Sequence, residues 1–154
     1  MVKAVSFIKK IGLVLLLSMI VSLGMVFTSH AANTADTPVQ AYIGYAYSDG
    51  YDTPARAKTN STSVYIRQDD PYSLWVRTFG YTPTGPNGTM EWTNQTKYGN
   101  AILGTGKWAI KNYIYENGGR SAYLNITMAE SGTWGWVWGA WSPDCAGTYP
   151  YANP

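Results

Sequence analysis

From residue 40 onward, no stretch of this chain carries apolar residues at helical spacing over three turns. Short runs instead alternate in character and are divided by turn chemistry such as Ser48-Asp49-Gly50, Asp69-Asp70-Pro71 and Gly104-Thr105-Gly106. That period of two suits strands, whose successive side chains point to opposite faces. It predicts strands over 40–47, 61–67, 73–81, 89–93, 107–115, 121–128 and 133–141. About seven short strands in one domain predict an all-β fold, a single antiparallel β-sandwich, with a small open β-barrel as the alternative. The clearest unit reads as a hairpin. Trp108, Ile110 and Ile114 interleave with Lys111, Tyr113 and Tyr115, and Ala122, Leu124, Ile126 and Met128 interleave with Tyr123, Asn125 and Thr127. Asn117-Gly118-Gly119 joins the two runs, and glycine permits the positive φ that a tight turn needs.

The first 31 residues have a different character. Lys3, Lys9 and Lys10 give a basic start, 11–27 is apolar, and Ser29-His30-Ala31 places small residues before Ala32. This is the layout of a cleavable signal peptide, with a signal-peptide helix expected before the sandwich. The expected organisation is 1–31 signal peptide, 32–39 flexible leader and 40–154 β-sandwich domain. The protein is then secreted, with no stable membrane anchor after cleavage. Cleavage removes three of the eleven basic residues and none of the nine acidic ones, so the exported chain is close to neutral. Nothing in that balance marks a nucleic-acid partner.

Export also removes His30, the chain's one histidine, and leaves a single cysteine, Cys145. The commonest general base at neutral pH and the commonest metal ligand are therefore missing. No Ser-x-x-Lys or Gly-x-Ser-x-Gly occurs, and neither Asp49-Gly50-Tyr51-Asp52 nor Gly104-Thr105-Gly106-Lys107 completes a calcium or phosphate loop. No cofactor is expected. Two carboxylates could still hydrolyse a glycoside, Glu91 with Asp144 being one pair, but they must stand about 5–9 Å apart. Cys145 reads as an unpaired loop thiol, with an intermolecular bridge as the alternative.

All seven tryptophans and thirteen tyrosines survive cleavage, whereas aliphatic residues are sparse, so aromatics are expected to form much of the core. In a strand over 133–141, Trp134, Trp136 and Trp138 project from one face about 6.7 Å apart, with Trp141 following. Such a row can be a core face or an exposed platform for sugar rings. The expectation is core, in which case Trp136→Ala costs about 3–5 kcal/mol. The candidate binding residues, on the platform reading, are Trp134, Trp136, Trp138 and Trp141.

Gly104-Thr105-Gly106-Lys107-Trp108, the alternating run after it, and Gly139-Ala140-Trp141-Ser142-Pro143-Asp144 resemble small secreted proteins of Gram-positive bacteria. Some of these form families of unknown function, and others look like the lactococcin 972 bacteriocins. The resemblance covers roughly 60–145 and carries over no functional residue. It implies an exported β-sandwich without enzymatic activity, bacteriocin-like, acting at a cell envelope. The alternatives are a carbohydrate- or cell-wall-binding module using Trp and Tyr platforms, and a small two-carboxylate glycan hydrolase. The expected partner is a cell-envelope component or glycan.

Overall fold

In the computed structural model, residues 32–84 and 86–154 are described, so the signal-peptide reading lies outside them. The fold is all-β. Among the described residues ten antiparallel strands form two sheets, one of which curls into a half-barrel. The strands are β1 (Thr37–Ile43), β2 (Tyr51–Asp52), β3 (Arg56–Ala57), β4 (Val64–Gln68) and β5 (Leu74–Pro83). They continue as β6 (Met90–Asn94), β7 (Ala101–Leu103), β8 (Gly106–Ile110), β9 (Ser121–Met128) and β10 (Gly135–Ser142). The four-stranded sheet has the order β1-β10-β4-β8. The six-stranded sheet has β9 and β5 at its centre, with β2 and β3 beside β9 and β6 and β7 beside β5. The three strands beyond the expected seven, β2, β3 and β7, are only two or three residues long. That is too short for a period of two to register.

The two sheets close over an aliphatic core of Val39, Ile43, Val64, Ile66, Leu74, Val76, Leu103, Ile110, Leu124, Ile126, Met128 and Val137, with Trp141 the one fully buried indole. This corrects the expectation of an aromatic core. Strand β5 shows how few aliphatics suffice. Leu74, Val76 and Thr78 point inward, while Trp75, Arg77, Phe79 and Tyr81 alternate on the outer side.

The expected hairpin is also corrected. Strand β8 pairs with β4 in one sheet and β9 pairs with β5 in the other, so the chain crosses between sheets over 111–120. Gly119 N donates to Ile114 O (2.8 Å) and Gly118 N to Tyr115 O (3.1 Å), with Gly118 at φ 83°. These paired bonds form the Schellman termination of a single helical turn. Asn-Gly-Gly serves that ending as readily as a hairpin, because both need a left-handed residue.

The ends of the domain are tied down. Residues 32–39 were expected to be a flexible leader, yet β1 begins at Thr37 and Asn33 makes hydrogen bonds to Asp144 and Ala57. At the other end, Ala109 N donates to Pro150 O and Ala152 N to Ala109 O, a short parallel addition to the edge of β8. Asn153 Nδ2 donates to the carbonyls of Lys97 and Lys111, and its Oδ1 accepts from Lys111 N. The tail therefore protects a sheet edge that would otherwise be free to pair with another chain.

Candidate functional site

Strand β10 is an interior strand of its sheet, paired with β1 along 135–141 and with β4 along 139–142. Its odd positions, Gly135, Val137, Gly139 and Trp141, face inward. Its even positions, Trp136 and Trp138, face solvent at 53% and 46% exposure, and Trp134 just before the strand is 50% exposed. The core expectation for Trp134, Trp136 and Trp138 is thus corrected. Trp141 has the opposite parity and is buried, so it does not belong to the exposed strip.

The glycines explain the choice of face. A Cβ on Gly139 would collide with the Arg67 backbone carbonyl, and one on Gly135 would come within 2.7 Å of the Tyr72 hydroxyl. Only glycine admits such approaches. The glycine face is therefore pressed against neighbouring chain, and the tryptophan face is left outside.

The neighbouring strand extends the strip. Tyr42 lies opposite Trp136 and is 58% exposed, and Gln40 lies opposite Trp138. The Tyr42 and Trp136 rings meet edge to face at 5.9 Å, and Trp136 and Trp138 stand 6.3 Å apart with planes 36° from parallel. The Asp70 carboxylate accepts the Trp138 backbone N–H, and Asp69 N donates to Trp138 O, so the 69–70 turn clamps this part of β10. Fixed rings of this kind can stack on the apolar faces of sugars while Gln40 supplies donors and acceptors at the edge. Tyr42 and Gln40 were missed at the sequence level. Their signal was the alternation of β1, where Val39, Ala41 and Ile43 are buried and the residues between them are not.

A second aromatic group lies on the outer side of the six-stranded sheet. Phe79 stacks on Tyr123 at 5.0 Å with planes 5° apart, Trp92 meets Tyr123 at 4.9 Å, and Tyr81 meets Trp92 at 5.2 Å. These rings cover one another, which leaves less free face than the β10 row has.

The structure places Glu91 and Asp144 in different surroundings. Glu91 is exposed on β6, at an edge of the six-stranded sheet, whereas Asp144 follows β10 and is fully buried. Asp144 Oδ1 accepts from Lys58 Nζ at 2.9 Å, and Oδ2 accepts from Asn33 N, Thr59 N and the Thr59 hydroxyl. Lys58 spends its other two protons on the carbonyls of Thr62 and Pro143. Burial alone would raise the Asp144 pKa, but the hydrogen bonds from Thr59, Lys58 and Asn33 outweigh it and hold the carboxyl below its ordinary value. Burial pushes the Lys58 ammonium down, and Asp144 offsets part of that. Every polar atom of the pair is committed, so it works as a structural tie between the 58–62 loop and the end of β10.

Asp52 is likewise occupied, accepting from Asn125 Nδ2 at 2.7 Å. Among the described residues no three His, Cys, Asp or Glu side chains converge as a metal site, and no helix is long and apolar enough to cross a membrane. Cys145 carries a free thiol whose Sγ lies 3.2 Å from Gly147 O.

No curated protein and no solved structure matches the chain. A family described as a protein of unknown function, DUF2712, matches residues 27–145, which includes every strand and the whole aromatic strip. The chain is a member of the DUF2712 family.

Proposed function

We propose that this protein is a secreted, non-enzymatic module that binds glycan at a bacterial cell envelope, with Trp136, Trp138 and Tyr42 as its stacking platform and Trp134 at the platform's end. The observation that carries this reading is the exposure of three indoles, each about half open to water, along and beside an interior strand of its sheet. Contiguous exposed aromatic surface on a small domain is characteristic of a binding site. The rigid backbone favours a ligand that presents repeated flat faces, because little ordering is needed on the protein side. The commitment of Asp144 to Lys58 and the lack of histidine after residue 31 support binding over hydrolysis.

The test is co-sedimentation of the mature protein with insoluble cell-wall glycan and with cellulose. The wild type should pellet, and Trp136→Ala/Trp138→Ala should stay in the supernatant with an unchanged melting temperature. Equal pelleting of both proteins, or of neither, would refute the platform. Release of reducing ends from the glycan would instead indicate the hydrolase reading. Growth inhibition of Gram-positive cells without glycan binding would favour the bacteriocin-like role that the lactococcin 972 resemblance implies.

A further inference from the structure

The face that carries the tryptophans does not end with them. Strand register sets its side chains in ranks across the sheet, about 6.7 Å apart along the strands. Tyr42 and Trp136 form one rank, and Gln40 and Trp138 the next. The rank after that runs Pro38, Ala140, Arg67, Lys107, and beyond it lie Ser142 and Tyr65. Tyr149 of the C-terminal tail packs tilted against Tyr65, with ring centroids 4.9 Å apart and planes at 42°, and walls the far end. Around Arg67 and Lys107 of that rank, and the residues beyond it, lies a cleft of about 280 Å³ lined by these two with Tyr65, Tyr149, Ser142 and Asp36 among others.

Its chemistry differs from that of the platform. Arg67 gives Nε to Asp69, which leaves the outer edge of its guanidinium available. Lys107 is exposed and has no ionic partner among the described residues. Asp36 lines the cleft and Asp69 pairs with Arg67, so what the cleft offers is not a surplus of charge but two donor groups, the outer guanidinium edge of Arg67 and the Lys107 ammonium. Burial, together with the Asp36 charge, pushes the Tyr65 hydroxyl above its ordinary pKa, which keeps it a neutral donor. A guanidinium edge, an ammonium and a phenol make a set of donors suited to carboxylate or phosphate oxygens.

We propose that this cleft binds the acidic substituent, carboxylate or phosphate, of a glycan whose sugar ring stacks on Trp138 one rank away. The inference rests on the platform reading and narrows it from glycan to acidic glycan. A neutral polymer would use the tryptophans alone, whereas an acidic one would span both parts of the face.

The experiment is calorimetric titration of the mature protein with three probes: cellohexaose, hexagalacturonate and a short oligomer of hexose units joined by phosphodiesters. Hexagalacturonate or the phosphate polymer should bind about tenfold more tightly than cellohexaose at low ionic strength, and most of that advantage should vanish near 0.5 M salt, where screening acts within a few ångströms. Which acidic probe binds better identifies the anion as carboxylate or phosphate. Lys107→Glu should abolish the advantage and leave cellohexaose binding unchanged. Lys97→Glu, the same charge change outside the cleft, should leave the advantage intact. Equal affinity for all three probes that Trp138→Ala abolishes, or an advantage that Lys107→Glu does not touch, would overturn the cleft while the platform stands. Failure of all three to bind would overturn both.

Discussion

Consider the removal of Lys58 from its buried pair. Lys58 and Asp144 are fully shielded, 2.9 Å apart, and each makes all the hydrogen bonds its charge allows. Lys58→Met deletes the cation and leaves a buried carboxylate with neutral donors alone, while the carbonyls of Thr62 and Pro143 lose their partner. Breaking one side of such a pair costs about 3–5 kcal/mol. For the 123 residues from 32 to 154 the unfolding entropy is about 0.26 kcal/mol/K, so each kcal/mol moves the melting temperature by about 4 °C and the expected fall is about 12–20 °C. Asp144→Leu should cost a similar amount, because it strands the ammonium. The double variant Lys58→Met/Asp144→Leu should lose less than the sum by about 1–3 kcal/mol, since no unpaired charge is left. Urea denaturation of the four proteins measures this cycle. Single variants that each lose under about 1 kcal/mol, or losses that simply add, would show that the pair is no stronger than a surface ion pair and that the reasoning from burial is wrong.

The tryptophans supply a paired test. Trp141→Ala, which empties a fully buried site, should cost about 3–5 kcal/mol. Trp136→Ala, at a 53% exposed site, should change stability by no more than about 0.5 kcal/mol. Thermal melts of both variants decide whether the face of β10 has been placed correctly. Acid should weaken the fold in a defined window. The folded Asp144 carboxyl titrates below its ordinary value, so its contribution is complete above about pH 4 and is lost as pH falls through the folded pKa. Urea midpoints measured from pH 6 to pH 2 should fall in that lower range, and the fall should be smaller in Asp144→Asn.

Strand positions were legible where local chemistry and final structure agree. The run 121–128 became β9 with the same limits, because its alternation is clean and Gly118-Gly119 stops the preceding segment. The run 107–115 was legible only to Ile110. Beyond it, Ile110 and Ile114 keep the parity of a strand, but Ile114 is the first residue of the Schellman bonds that close a helical turn. Four residues apart fits a strand face and a helix turn equally, so local pattern cannot separate them. Pairing partners were illegible for the same reason that hairpins are guessed first. Proximity in sequence favours β8 with β9, and only the closing of two sheets over one core sends them apart.

By itself the sequence determined that the chain is built of strands and that Trp134, Trp136 and Trp138 share one face of the run 133–141 while Gly135, Val137 and Gly139 share the other; Trp141, grouped with the tryptophan row as a candidate binding residue, has the parity of the glycines. The two faces follow from the two-residue period and need no partner. Which face is turned inward was decided by tertiary structure. Hydrophobicity favours burying the indoles, but Gly135 and Gly139 accept the Tyr72 ring and the Arg67 backbone at distances no side chain would permit, and Trp141 fills the remaining space among the aliphatics. The close packing of that face, which depends on residues far away in the chain, leaves Trp136 and Trp138 in water.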